Sequence, residues 1–161
     1  MPDKLRLAVI GVGYLGRFHA LIYSRMPDVV LVGVVDADPA RAQAVAAEAG
    51  CAVFDRALDL VDRVDAVSIV VPTTLHWSAA EPFLRRGIAV LIEKPIAATQ
   101  ADGAAIVQLA GDHGALVQIG HVERFNAGVM ALAERITAPR YIEAQRMGGF
   151  TERATDVDVV S

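Results

Sequence analysis

An apolar run, Leu5–Ile10, passes straight into Gly11-Val12-Gly13-Tyr14-Leu15-Gly16 and from there into a helical pattern. No other stretch restricts the possible folds as tightly. A G-x-G-x-x-G placed between strand and helix needs its first glycine for a sharp turn and its second where phosphate must approach the backbone. The third lets helix and strand pack closely. The unpaired N–H groups and the dipole of the helix start favour negative charge at that point. Gly11, Gly13 and Gly16, with Tyr14 and Leu15 between them, are therefore candidate cofactor contacts. Asp36 stands 20 positions beyond Gly16, at the end of the next apolar run, where a carboxylate can accept hydrogen bonds from an adenosine ribose. Loop and acid together select a dinucleotide-binding unit over an ordinary glycine-rich turn. A carboxylate there repels a 2′-phosphate, which favours NAD; Arg41 in the following helix partly offsets that repulsion and leaves NADP open.

The rest of the chain repeats the alternation of apolar runs and helical patterns that marks a parallel sheet. Runs at Leu5–Ile10, Val29–Asp36, Ala52–Phe54, Asp65–Val71, Ala89–Glu93 and Ala115–Gly120 read as strands, rich in Val, Ile, Leu and Ala as strands covered on both faces are. Helices are expected between them. Tyr14–Met26 gathers Leu15, Phe18 and Ile22 on one face before Pro27 stops it. Asp38-Pro39 opens Pro39–Ala49 and Gly50 closes it. Asp55 is expected to cap a short helix to about Asp62, and Leu75–Arg86 to turn Trp77, Ala80 and Leu84 inward despite Pro82. Thr99 and Asp102 form a capping-box pattern for a helix that Gly114 ends. The class is α/β, a doubly wound parallel-sheet nucleotide-binding domain over residues 1–120.

Beyond Gly120 the pattern changes. A polar loop, His121–Asn126, precedes a helical stretch, Ala127–Ile136, and Arg140–Met147 reads as a single strand. One strand cannot bury itself, so residues 121–161 read as a linker and the truncated start of a second α/β domain. The unpaired edge of that strand invites association, which makes a homo-oligomer an expectation.

Composition narrows the partners. With 161 residues the chain can bury one core. A mean hydropathy of +0.41 raises the question of membranes. The longest apolar run, Val29–Val35, falls far short of the roughly 18 residues a spanning helix needs. No cleavage site follows the first residues, so a cytoplasmic protein without signal peptide is expected. A net charge of −4 argues against nucleic acid. The single cysteine, Cys51, excludes an internal disulfide framework or a cysteine metal cluster, and no metal is expected.

Of the 15 basic residues only Lys4 and Lys94 are lysines. Lys94, in Glu93-Lys94-Pro95, follows the strand Ala89–Glu93, at the carboxyl edge where doubly wound sheets bind ligands. Unlike arginine, lysine can release its proton near neutral pH when desolvated. Removing hydride from an alcohol needs a group to take the hydroxyl proton, and a tuned lysine can do so reversibly.

With GVGYLG, the acid of VVDAD, VVPTTLHW and LIEKPIA in this order and spacing, the chain resembles the Gfo/Idh/MocA oxidoreductases over essentially its whole length. The resemblance implies a Rossmann domain holding NAD or NADP, followed by an α/β domain with a large, mostly antiparallel sheet. It also implies sugar, inositol or nucleotide-sugar substrates. It assigns pyrophosphate to Gly11, Gly13 and Gly16 and ribose to Asp36. Pro72, Thr73 and His76 are assigned to the cofactor groove, and Glu93 and Lys94 to the catalytic centre beside nicotinamide and substrate. GHVERFN at 120–126 and TDVDVV at 155–160 are similar to a branch that includes UDP-N-acetylglucosamine 3-dehydrogenase-like enzymes, which oxidise a ring hydroxyl to a ketone. In that branch Arg124 and Asn126 would face the substrate; as plain sequence they equally suit a polar interdomain loop.

The chain departs from the family in one respect. It ends at Ser161, before the D-x-x-x-H element whose side chains join the lysine in catalysis. The expectation is a cofactor-binding portion that binds NAD(H) but turns over poorly. The alternative is a non-catalytic nucleotide-binding remnant or sensor. A flavin or methyl-donor enzyme is disfavoured because neither requires Lys94. Among the histidines, His19 is expected to be packed or half-exposed on the first helix and His113 to complement a helix C-terminus.

Overall fold

The computed structural model describes residues 4–145. Six strands form one sheet: β1 (Leu5–Ile10), β2 (Val29–Val35), β3 (Ala52–Val53), β4 (Ala66–Ile69), β5 (Ala89–Ile92) and β6 (Val117–Ile119). Their order is β3-β2-β1-β4-β5-β6, and every neighbouring pair is parallel. The order reverses between β1 and β4, which opens a crevice at the carboxyl ends of those two strands.

Side chains alternate across the sheet. In β1, Ala8 and Ile10 enter a core with Leu60, Val67, Ile69, Phe83, Leu84, Val90, Ile92 and Ile106, while Val9 faces Val12, Ala20, Leu31, Val34 and Val45 on the other side. Helices α1 (Tyr14–Tyr23) and α2 (Pro39–Ala49) supply the second cluster, and α3 (His76–Leu84) and α4 (Gln100–His113) close the first. Full burial of side chains such as Phe83 and Ile69 is worth about 1.5–3 kcal/mol each, so the two-sided core is the main source of cohesion.

Local signals set the helix ends. Asp38 Oδ1 accepts from the N–H groups of Ala40 (3.0 Å) and Arg41 (3.3 Å), with Pro39 in the first turn. Thr99 Oγ1 accepts from Asp102 N at 3.1 Å and donates to the Asp102 carboxylate at 2.8 Å. Gly50 and Gly114 end α2 and α4 in the left-handed conformation.

Four readings need correction. First, the apolar face of α1 does not point inward: Leu15, Phe18 and Ile22 are 42%, 39% and 57% exposed, while Gly16 and Ala20 are buried. The loop before α1 draws the helix so close to the sheet that only small residues fit beneath it, and the larger ones turn out. Second, no cap from Asp55 is found among the described residues. The short helix is a 3-10 turn at Ala57–Leu60 without a side-chain cap, and Arg56 pairs with Asp59 at 2.6 Å instead. Third, α3 is shorter than Leu75–Arg86: a 3-10 turn at Thr73–Leu75 precedes it, and it ends at Leu84, two residues beyond Pro82. Fourth, residues 140–145 contain no strand; Met147, like the TDVDVV segment at 155–160, lies outside the described residues. The edge-strand argument for self-association is therefore without support among the described residues.

The chain divides into two compact units at Gly120/His121. Among the described residues of the second unit, a 3-10 turn at Val122–Phe125 leads to α5 (Ala127–Arg135), and all side chains are exposed. No helix among the described residues is long and apolar enough to cross a membrane.

Candidate functional site

The turn after β1 is built as its glycines demand. Gly11 has φ +83°, and its N–H donates to Val35 O at 2.8 Å. A Cβ on Gly11 would lie 2.6 Å from Val70 O, because the loop passes directly over the end of β4. A Cβ on Gly16 would lie 1.9 Å from Gly11 O, so α1 starts in backbone contact with the turn and admits no side chain there. Around Gly13 the situation is the reverse, since a Cβ there would meet nothing within 4 Å. Among the described residues no side chain caps α1 at Gly13, and the dipole of the helix start favours an anion there.

Asp36 completes the loop. Its side chain is 5% exposed, Oδ2 accepts from Val12 N at 2.7 Å and Oδ1 from Asp38 N at 2.9 Å. The acid thus ties the phosphate loop to the end of β2, a role that its distance from Gly16 alone does not reveal. Arg41 lies 3.3 Å from Asp36 and 3.4 Å from Asp38, so its charge is already shared between two carboxylates. A groove of about 460 Å³ runs beside these groups, lined among others by Val12, Gly13, Tyr14, Arg17 and Arg41. At its mouth Arg17 is paired with Glu48 through Nε at 2.7 Å and through a second, shorter contact.

The other half of the rim lies beyond β4 and β5. Pro72 is exposed and accepts from Leu75 N through its carbonyl at 2.9 Å, while Thr73 is buried at 7% exposure. His76 is 1% exposed and does not line open space. Its Nε2 sits 3.0 Å from Val71 O and its Nδ1 3.0 Å from Pro95 O, so one ring joins the loop after β4 to the turn after β5. A neutral imidazole carries one N–H, so it can donate to only one of these carbonyls at a time.

Lys94 is exposed at the end of β5, and Pro95 follows through a cis peptide bond. No hydrogen bond or ion pair of its ammonium is found among the described residues. Glu93 is placed differently, 7% exposed and turned toward α1. His19 Nε2 lies 3.3 Å from Glu93 Oε1, at 14% and 10% side-chain exposure. Lys94 N donates to Glu93 Oε2 at 3.3 Å. Burial pushes the Glu93 carboxyl up, but the His19 ring, the Lys94 N–H and the Lys94 charge together bring it below the usual carboxylate value. His19 is the residue that sequence reasoning missed here. Its only signal was a place three residues after Gly16, on the side of α1 that a large-residue count marks as outward.

Arg124 and Asn126 lie in the second unit. Arg124 is exposed. Asn126 acts locally, where its Oδ1 caps α5 by accepting from Gly128 N at 2.9 Å and its amide donates to Glu123 at 2.9 Å.

A parallel sheet in this order, with a glycine turn at its switch point and an acid just past the end of the neighbouring strand β2, defines a dinucleotide-binding domain. The residues fit that group, since the space over Gly13 is open and a groove lined by Gly13, Tyr14 and Arg41 adjoins it. The chain belongs to the Gfo/Idh/MocA oxidoreductase family: the family's profile, an oxidoreductase family with an NAD-binding Rossmann fold, matches residues 5–121. It is 40% identical over 157 residues to UDP-N-acetylglucosamine 3-dehydrogenase of Acidithiobacillus ferrooxidans, covering 97% of this chain and 50% of that protein. It is 35% identical over 144 residues to inositol 2-dehydrogenase of Rhizobium meliloti, covering 88% and 43%. The solved structure of the A. ferrooxidans enzyme superposes with a TM-score of 0.89, covering 97% of this chain and 52% of that one. That of scyllo-inositol dehydrogenase from Lactobacillus casei with bound NAD(H) and scyllo-inositol superposes at 0.76, with 27% identity, covering 82% and 40%. The chain thus spans about half the length of the curated relatives it matches.

Proposed function

We propose that this chain is the cofactor-binding portion of an NAD-dependent dehydrogenase that transfers hydride between the cofactor and a sugar or nucleotide-sugar hydroxyl. The observation that carries the reading is one rim, at the carboxyl ends of the parallel strands, that bears the glycine turn, Asp36 and Lys94 together. Gly11, Gly13, Tyr14, Leu15 and Gly16 would hold the pyrophosphate, and Asp36 the ribose of the adenosine half. Pro72 and Thr73 would border the cofactor, and His76 keeps its two loops in place. A nicotinamide dinucleotide bound there supplies the hydride acceptor. Lys94 then takes the hydroxyl proton in oxidation and returns it in reduction, and its exposed ammonium is free to reach a substrate. Because Arg41 is shared by Asp36 and Asp38, it has little charge left for a 2′-phosphate, which favours NAD over NADP.

The 40% identity to a UDP-N-acetylglucosamine 3-dehydrogenase supports a nucleotide-sugar hydroxyl as substrate, with Arg124 suited to its phosphates. Residues 121–161 would open the substrate domain, and a cytoplasmic location follows the cofactor. The primary test is fluorescence titration with NADH: saturable binding below millimolar concentration is expected, and none at millimolar concentration rejects the reading. In a chimera completed with the remaining length of the A. ferrooxidans enzyme, Lys94→Ala should abolish most hydride transfer while leaving NADH affinity nearly unchanged. Unaffected transfer would point to a nucleotide sensor instead.

A further inference from the structure

Among the described residues, His19 Nδ1 and Glu93 Oε1 are buried polar atoms without a hydrogen-bond partner, and they belong to side chains in mutual contact. Buried polar atoms are rarely left in this condition without a reason. The contact is held from several sides. Tyr23 packs edge-on against the His19 ring at 6.1 Å, and its hydroxyl is fixed by Ser68 of β4 at 2.6 Å. Gly120, just past β6, meets the carboxylate from the other side, where a Cβ would lie 2.5 Å from Oε1. Any residue but glycine at 120 would push Glu93 off its seat. Helix α1 and the ends of β5 and β6 therefore converge on one carboxylate, whose own chain neighbour is Lys94.

We propose that His19 is a positioning residue for the Lys94 turn: it seats the Glu93 carboxylate, and its protonation decides whether the pair beside Lys94 carries a net negative charge or none. The proposal rests on the reading of Lys94 as the proton-exchanging group, and it moves Glu93 from contact with substrate to control of its neighbour. The titratable or charged groups described around the pair are Lys94 on its own turn and Tyr23 on α1; β4 contributes Ser68 and β6 only the Gly120 backbone. With His19 neutral, the pair beside Lys94 is a lone carboxylate; with His19 protonated, it is an ion pair of no net charge.

The scarcity of lysine makes the test direct. Reductive methylation of the full chain with ¹³C-formaldehyde labels only the amino terminus, Lys4 and Lys94, and the Lys94 signal is assigned by its loss in Lys94→Arg. We expect that signal to show an inflection that follows the protonation of the His19 ring. It should vanish in His19→Gln, which keeps a donor at the same reach without the charge. No inflection in the unmodified sequence, or one that survives His19→Gln, overturns the proposal. Should His19→Gln not fold, the parent chain decides. The Lys94 inflection must coincide with the His19 ring titration in long-range ¹H–¹⁵N spectra, and a mismatch overturns the proposal. These measurements need no cofactor, so a failed NADH titration would remove the functional reading while leaving the coupling to stand or fall by itself.

Discussion

Replacing Asp36 by asparagine separates the ribose-acceptor role we propose for this carboxylate from the role the structure gives it, acceptor for Val12 N–H and Asp38 N–H. Asparagine has one acceptor oxygen and an NH₂ that would confront one of those N–H groups. Charged hydrogen bonds of this kind are each worth about 1.5–3 kcal/mol. Asp36→Asn should therefore weaken NADH binding by roughly tenfold or more and lower the melting temperature as the loop loosens. Unchanged affinity by fluorescence titration would show that the acid serves the loop alone. The glycine turn and this acid were legible because each residue type answers a steric or electrostatic demand that spacing exposes. The meeting of His19 with Glu93 was not legible. It joins residues far apart in sequence, and nothing in either local pattern announces the partner.

Between elements, the ladder from β1 to β4 is reinforced at its amino end. Arg6 N donates to Asp65 Oδ2 at 2.8 Å, and the Arg6 guanidinium grips the same carboxylate at 2.7 Å. The Arg6 side-chain bonds, then the Arg6 N–H, hold the Asp65 carboxyl below the usual value. A folded-state pKa below the unfolded one means the stabilisation is present above the unfolded value of about 3.9 and is lost as pH falls through the lower folded value. Arg6→Gln should thus melt slightly below the parent protein near neutral pH, and the gap should close in acid. The effect is modest because both side chains are more than one-third exposed. A gap that stays constant from neutral pH into acid would refute the assignment. Element types followed from periodicity and caps, as at α2, where Asp38, Pro39 and Gly50 mark both ends. The orientation of α1 did not follow. Its buried face is made of Gly16 and Ala20, which contribute almost nothing to an apolar pattern, whereas Leu15, Phe18 and Ile22 dominate that pattern from the outside.

At the scale of the whole chain, every described residue of both cores lies before Gly120. A chain ending at Gly120 should therefore unfold cooperatively at close to the melting temperature of the full protein and bind NADH with similar affinity. A large loss of either would mean that residues after 120 contribute to the first unit's stability. The His76 ring, anchored on the carbonyls of Val71 and Pro95, has a dynamic consequence of its own. Two segments that would otherwise fray independently are tethered at a single point, so they should open together. Amide hydrogen exchange in the segments on either side of the rim should then report one shared protection factor, and replacing the imidazole with an aliphatic chain should let the two values drift apart.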